Sequence, residues 1–415
     1  MAGGDAAAAL RIRMYNVGFG DCFLLFVPTS AGERTLLLDC GKHMSSKTGR
    51  SVSDAARDIV ATVSRDGRAR LDVVVATHRH YDHISGYALN LWNDVEVGEV
   101  WMPWTEEVGN PAADAIRHSQ NRIAMALAQR FASADTPVGA LALNSLSNKD
   151  AEKRLRTGFA GQPRRRYLPS DGEGAQMFTT DALPGVRVHV LGPSHDRDVI
   201  ALMDPPAGMY FPDDPVKPGE AAAPATPEDT TVAVAFPHLF GPQYRWDGAS
   251  FGARYATLAE HTDAAALDGR STVDMLAAAA GLEDAINGTS LVFALEFGDD
   301  CVLFAGDAEW GTWSKILDDP VRRQLLARTR AYKVSHHGSY NGTPKPFVDD
   351  VLPADALSLV SLGPMQRWPS IPRASLLTAL GGQQRRLVRS DEVPHDAADV
   401  TRDGDLWIEI AIPVG

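Results

Sequence analysis

Within Thr77-His78-Arg79-His80-Tyr81-Asp82-His83-Ile84-Ser85-Gly86, three imidazoles and a carboxylate fall between positions 78 and 83. They follow directly on the apolar run Leu71–Ala76, whose branched residues read as a buried strand. The cluster therefore occupies the loop at a strand's carboxyl end, where α/β folds concentrate their chemistry. Imidazole nitrogen and carboxylate oxygen are suitable ligands for zinc and similar divalent ions. A solvated polar turn with scattered histidines is the competing reading, and the preceding strand argues against it.

Other segments follow the same plan of strand and then polar residue. Val302-Leu303-Phe304-Ala305-Gly306-Asp307 is an apolar strand ending in Gly-Asp, and Tyr332–Ser339 runs from a strand into Ser335-His336-His337-Gly338-Ser339. Leu36-Leu37-Leu38-Asp39-Cys40-Gly41 carries an aspartate at a strand end. Near the start, Asn16-Val17-Gly18-Phe19-Gly20-Asp21 leads into Cys22-Phe23-Leu24-Leu25, and Ser290–Glu296 is a further apolar run.

H-x-H-x-D-H after a strand resembles the signature of the metallo-β-lactamase fold hydrolases. The V-G-x-G-D opening, the Ser290–Glu296 strand and the His-His-Gly-Ser segment are similar to one subgroup. That subgroup includes the hydrolase domain of bacterial competence DNA-uptake channels and the phosphorylcholine esterases of Gram-positive cell walls. The resemblance implies an α/β protein built as an αββα sandwich, two mixed sheets face to face with helices outside. It also implies two divalent metal ions, with zinc favoured and manganese or iron as alternatives. His78 and His80 would share one ion, Asp82 and His83 would turn to the second, and Asp307 would bridge. Of the later pair, His337 precedes Gly338 and is the favoured ligand, which leaves His336 behind the metal or facing substrate. The reverse assignment stays open. Asp39 would orient a ligand histidine by accepting its other ring N–H. For the further histidine that classical members place on the first ion, His189 alternates with valines and reads as one face of a strand. His195, after Gly192-Pro193, is the better candidate, although the subgroup often lacks this ligand. The segment Trp368-Pro369-Ser370-Ile371-Pro372 stands where family members often carry another histidine.

The expected mechanism is hydrolysis by a metal-bridged hydroxide, with Asp82 and His336 as the catalytic side chains. A phosphodiester substrate, nucleic acid or nucleotide, is favoured by the subgroup. A small carboxylic ester, lactone or thioester is the competing enzymatic reading, and a non-catalytic metal-stabilised binding module is the reading from a different class. A redox di-iron role is disfavoured, because His80 stands where such proteins typically carry glutamate.

Composition narrows the partners. The chain has 415 residues, 44% of them hydrophobic, enough for one large domain over 1–415. No apolar run reaches the about eighteen residues of a membrane span, and Met1–Leu10 lacks the pattern of a secretory signal. Cys22, Cys40 and Cys301 lie in or beside apolar strands, as expected for buried thiols in a reducing, cytoplasmic setting. A net charge of −13 disfavours nonspecific binding to long nucleic acid. The local exception is Lys149–Arg166. There Arg164, Arg165 and Arg166 are candidates for an anion clamp, against a solvated face interleaved with Asp150 and Glu152. Trp104 is a candidate substrate contact, whereas Trp310 and Trp313 read as core. Insertions are expected over about 105–180 and about 200–285, as a lid or a subunit contact, the second with an alanine-rich helical pattern over about 250–284. Nothing in the sequence sets the oligomeric state.

Overall fold

The computed structural model describes residues 8–130, 146, 148–170, 176–212, 282, 285–365, 368–382, 385–392 and 400–415. The alanine-rich pattern over 250–284 lies outside them except for Leu282. Apolar residues alternate along the strands, and both parities are buried, so each sheet is covered on two sides. The first sheet orders its strands β15-β16-β1-β2-β3-β5-β6-β7. Here β1 is Ala9–Tyr15, β2 Cys22–Thr29, β3 Gly32–Cys40, β5 Arg68–Val75, β6 Glu96–Pro103 and β7 Arg164–Leu168. The short β4, Ser64–Arg65, pairs with β5 outside this path, and β15, Val400–Asp403, and β16, Trp407–Pro413, close the far side. The second sheet runs β14-β13-β12-β11-β10-β9-β8. Its strands are β8 Gln176–Phe178, β9 Arg187–Gly192, β10 Val292–Phe297, β11 Asp300–Phe304, β12 Thr329–Lys333, β13 Leu357–Val360 and β14 Arg386–Arg389.

Both sheets are mixed, and in the same way. Strands β1-β2-β3 are antiparallel and β3-β5-β6-β7 parallel. Likewise β8-β9-β10-β11 are antiparallel and β11-β12-β13-β14 parallel. One set of side chains from each sheet meets in a shared core that includes Ile12, Phe23, Leu38 and Val75 from the first, and Val188, Phe293, Phe304 and Leu359 from the second. The opposite parity packs outward against helices. Leu24, Leu37 and Val74 bury against Ala55, Ala56 and Ile59 of α1, Val52–Val63, whose N-terminus is capped by Ser51. Leu303, Tyr332 and Val360 bury against the Trp310–Asp318, Pro320–Leu326 and Ala374–Gly381 helices. Trp313 is fully buried there. The described chain is thus a two-sheet sandwich with helices on both outer faces.

Two local expectations are corrected. A helix over 85–92 is replaced by one turn, α2 (Tyr81–Ile84), and two 3-10 turns at Ser85–Ala88 and Asn90–Trp92. Gly86 is pressed against the end of β3, where a Cβ would come within 2.5 Å of Cys40 Sγ, and Leu89 is extended. The 105–180 stretch contains the helix α3, Pro111–Arg130, but it also supplies β7 and β8, one edge strand to each sheet. No described helix is long and apolar enough to cross a membrane.

The β7–β8 side is closed by Glu99. Its carboxylate accepts from Arg166 Nε at 2.7 Å and Nη2 at 2.9 Å, from Trp101 Nε1 at 2.8 Å and from Thr180 Oγ1 at 2.7 Å. The Arg166 guanidinium lies 4.8 Å over the Phe178 ring of the second sheet. Burial opposes the Glu99 charge, but these donors outweigh it and hold the carboxyl below its ordinary 4.5. A depressed acid stabilises the fold above its unfolded pKa, and the contribution disappears as pH falls below 4.5 through the folded value. Denaturant titrations should therefore show wild type more stable than Glu99→Gln at pH 7, with the gap narrowing as pH drops below 4.5. A gap independent of pH would contradict this account.

Candidate metal centre

The carboxyl ends of the parallel strands from both sheets emerge along one edge of the sandwich. The loops after β5, β11, β12 and β13 meet there with Asp39 near the end of β3 and Asp21 just before β2. Close backbone approach makes the meeting feasible. Asp21 N–H donates to Asp82 O at 3.0 Å and Gly41 N–H to Asp21 O at 2.9 Å. A Cβ at Gly41 would lie 2.3 Å from the Asp82 carbonyl carbon, so only glycine lets the ligand loop seat against β3.

The side chains follow from this frame. His78 Nε2 and His80 Nδ1 face one another at 3.0 Å. His83 Nδ1–H donates to Asp39 Oδ2 at 2.9 Å and Nε2–H to Asp307 Oδ2 at 3.1 Å. Asp39 also accepts from Thr77 N at 2.8 Å and Thr77 Oγ1 at 2.7 Å, and that hydroxyl accepts from His78 Nδ1 at 3.1 Å. One aspartate thus orients two imidazoles, one directly and one through Thr77. Of the later pair, His337 is turned inward, with Nδ1–H on Ser361 O at 3.1 Å and Nε2 at 3.5 Å from Asp82 Oδ2 and 3.7 Å from Asp307 Oδ2. His336 instead faces Asn287 and Asn341, both at 3.2 Å.

Lys333 has no counterpart among the sequence candidates, nor has Asp21. Lys333 Nζ forms an ion pair with Asp21, lies 3.4 Å from Asp307 Oδ1 and donates to Gly306 O at 3.1 Å. A lysine in the apolar run Ala331–Val334, immediately before Ser-His-His, was the available signal. Arg79 also turns inward, donating to Gln120 Oε1 of α3 at 2.7 Å.

Burial and the neighbouring charges pull the groups of this seam in opposite directions. Burial lowers His78 well below 6.5 and His80 to about 3. Burial also opposes protonation of His83, but Asp307 and Asp39 outweigh it and raise that imidazole. His337 is raised similarly by Asp307, Asp21 and Asp82 against its burial. Asp82 and Asp307 stay below the usual carboxylate range despite burial, because of the histidines around them and, for Asp307, Lys333. Burial raises the Asp39 carboxyl.

Three donor sets in this seam bring one ligand atom per residue within 4.8 Å of each other: His78/His83/Asp307, Asp82/His83/His337 and Asp21/Asp39/His83. Asp82 Oδ1 is buried without a hydrogen-bond partner among the described residues. Histidine and carboxylate donors with an unspent buried oxygen fit a divalent cation.

Several candidates lie elsewhere. His195 belongs to none of these sets: its Nε2–H donates to Pro169 O at 3.1 Å and its ring stacks on Trp104 at 4.4 Å. Trp104 is itself buried against Ala113 and Ile200 and donates to Ser194 O at 3.1 Å. Arg164, Arg165 and Arg166 form β7 rather than a loop over the centre. Arg166 is spent on Glu99, Arg165 on Leu155 O and Pro163 O, and Arg164 is exposed. The sequence did not show this, because parallel pairing of β7 with β6 is non-local.

Gly41→Ala should destabilise the protein by about 1–3 kcal/mol, the usual cost of overpacking. Gly381→Ala is the control, since its Cβ would meet nothing closer than 3.5 Å. Equal unfolding midpoints for the two variants would contradict the seating of the ligand loop. No protein-family model matches the chain, and no curated protein matches it in sequence.

Proposed function

We propose that the chain is a metal-dependent hydrolase of the metallo-β-lactamase fold type, acting on a phosphodiester in a nucleotide or nucleic acid. The observation that carries this reading is the convergence of His78, Asp82, His83, Asp307 and His337 as buried donors where the two sheets meet, with His80 reaching His78 at 3.0 Å. His78 and His80 would hold one divalent ion and Asp82, His83 and His337 a second, with Asp307 between them. Zinc suits an imidazole and carboxylate set, and manganese or iron are the alternatives. Bound divalent ions would supply Lewis acidity to a phosphoryl oxygen and acidify water toward neutral pH.

The protein's own groups do the remaining work. Asp39 keeps His83 and, through Thr77, His78 in one ring orientation. Lys333 holds Asp307 by Oδ1, which leaves Oδ2 toward His83 and His337. Asp82 would ligate and, through the oxygen left to it, orient an attacking water by accepting its hydrogen bond. Phe19 packs on the His337 ring at 4.3 Å and Trp368 on Phe19 at 5.0 Å, keeping water from that flank. The substrate class rests on the resemblance of the V-G-x-G-D and His-His-Gly-Ser segments to the competence-type hydrolase domain.

Protein loaded with zinc or manganese should hydrolyse bis-p-nitrophenyl phosphate in preference to p-nitrophenyl acetate. Asp82→Ala should lower kcat/KM by about a hundredfold or more, at least the upper range for losing a partner behind a ligand. Absence of turnover with zinc, manganese, iron and cobalt, or an undiminished Asp82→Ala enzyme, would sink the proposal. Preference for the acetate would move the substrate to the ester class.

A further inference from the structure

We propose that Glu309 is a positioning residue that fixes the tautomer of His336 and, through it, the left-handed turn that aims His337. The part concerning His337 as a metal ligand rests on the reading above. Glu309 follows Asp307 by two residues and is buried. Its Oε1 accepts from Asn341 Nδ2 at 3.1 Å and from Asn287 Nδ2 at 3.3 Å. A carboxylate has no proton to give, so each amide must present its NH2 group to it. With Asn341 held that way, its Oδ1 accepts from the Ser339 hydroxyl at 2.6 Å and faces His336 Nδ1 at 3.2 Å. With Asn287 held likewise, its Nδ2 faces His336 Nε2 at 3.2 Å.

An acceptor at Nδ1 and a donor at Nε2 match one form of the ring: neutral, with the proton on Nδ1 and the lone pair on Nε2. The other neutral tautomer sets donor against donor at Nε2 and acceptor against acceptor at Nδ1. The imidazolium sets donor against donor at Nε2. A single buried carboxylate thus decides, through two amides, which His336 nitrogen carries the proton. It also removes His336 as a proton donor from Nε2, since that nitrogen receives the Asn287 N–H.

The ring needs holding because of the backbone beneath it. His336 and His337 have φ of 50° and 49°, a left-handed conformation that residues other than glycine rarely adopt. Along the main chain, His336 N–H donates to Gly306 O at 3.2 Å and Ser339 N–H to His336 O at 2.8 Å. Gly342 sits so close that a Cβ there would be 2.6 Å from His336 Cβ. The Glu309–Asn287–Asn341 cage secures the side-chain end. With His336 anchored, the next residue is carried round so that its Nε2 faces Asp82 and Asp307.

The test begins with metal-free protein carrying 15N-labelled histidine. The wild type should show His336 protonated at Nδ1 and not at Nε2. Glu309→Gln has the same shape but can present an NH2 group of its own. It should lose the single tautomer and exchange the Ser339 amide about tenfold faster or more. The exchanged pair Glu309→Gln/Asn341→Asp restores an anionic acceptor at Nδ1 and should recover the tautomer. An Nε2-protonated wild type overturns the proposal even if no variant folds, as does a Glu309→Gln protein that keeps both tautomer and exchange rate. Zinc titration then separates the two readings. Wild type that binds zinc should do so about tenfold or more tighter than Glu309→Gln, the range typical of groups behind a ligand. Equal affinities overturn the aiming of His337. A wild type that takes up no zinc but shows the expected tautomer and exchange brings down the metal reading and leaves the hold of Glu309 on the turn standing.

Discussion

A buried ion pair holds the two sheets together at the edge where the ligand loops meet. Lys333, at the end of β12, reaches Asp21 of the opposite sheet and Asp307 of its own. Beside it, His83 spans the seam from Asp39 to Asp307. Taking such charges out of water costs several kcal/mol each unless they are paired, and removing one partner strands the other. Asp21, Asp39, Asp82 and Asp307 are all buried around one buried lysine, so carboxylate outweighs cation. Raised His83 and His337 offset part of that excess, and divalent cations would offset it further. The groups that would bind metal are thus also the groups that set how the sheets meet, and a change in one role alters the other.

The architecture makes this seam available. Each sheet changes from antiparallel to parallel partway across, which sends consecutive strand ends to one edge, where loops from both sheets converge. Glycine then allows distances that side chains would forbid, as at Gly41 beneath the Asp82 backbone and Gly342 beside His336. Aromatic packing from Phe19 and Trp368 covers one flank of His337. The clustered imidazoles are oriented by layers behind them: Asp39 and Thr77 behind His83 and His78, and Glu309 with its two asparagines around His336.

What could be read from the chain alone was the local part. An apolar run followed at once by histidine or aspartate marks a strand end, and Leu71–His83, Val302–Asp307 and Tyr332–His337 all carry it. Asp39 at its strand end was legible in the same way, and the resemblance gave it a histidine to orient, but only the fold shows that this histidine is His83. Groups assembled from distant positions were not. Glu309, Asn287 and Asn341 look like ordinary loop polar residues until the segment before β10 and the loops after β11 and β12 are set side by side. The arginines at 164–166 suggested an anion clamp because sequence shows their charge but not the Glu99 that neutralises Arg166. His195 follows a turn, as a ligand would, yet Trp104 and Pro169 O take both its face and its nitrogen. Lys333 was hidden by convention, since a lysine near a strand end is usually assigned to solvent.

The central claim, a two-ion centre built across the sheet seam, is tested most directly by anomalous X-ray diffraction from crystals of protein purified without chelator and supplied with zinc. The account predicts about two ions per chain, as in two-metal hydrolytic sites. They should fall in the seam, held by side chains from among His78, His80, Asp82, His83, Asp307 and His337. Anomalous density absent from the seam, or confined to surface carboxylates, would contradict it.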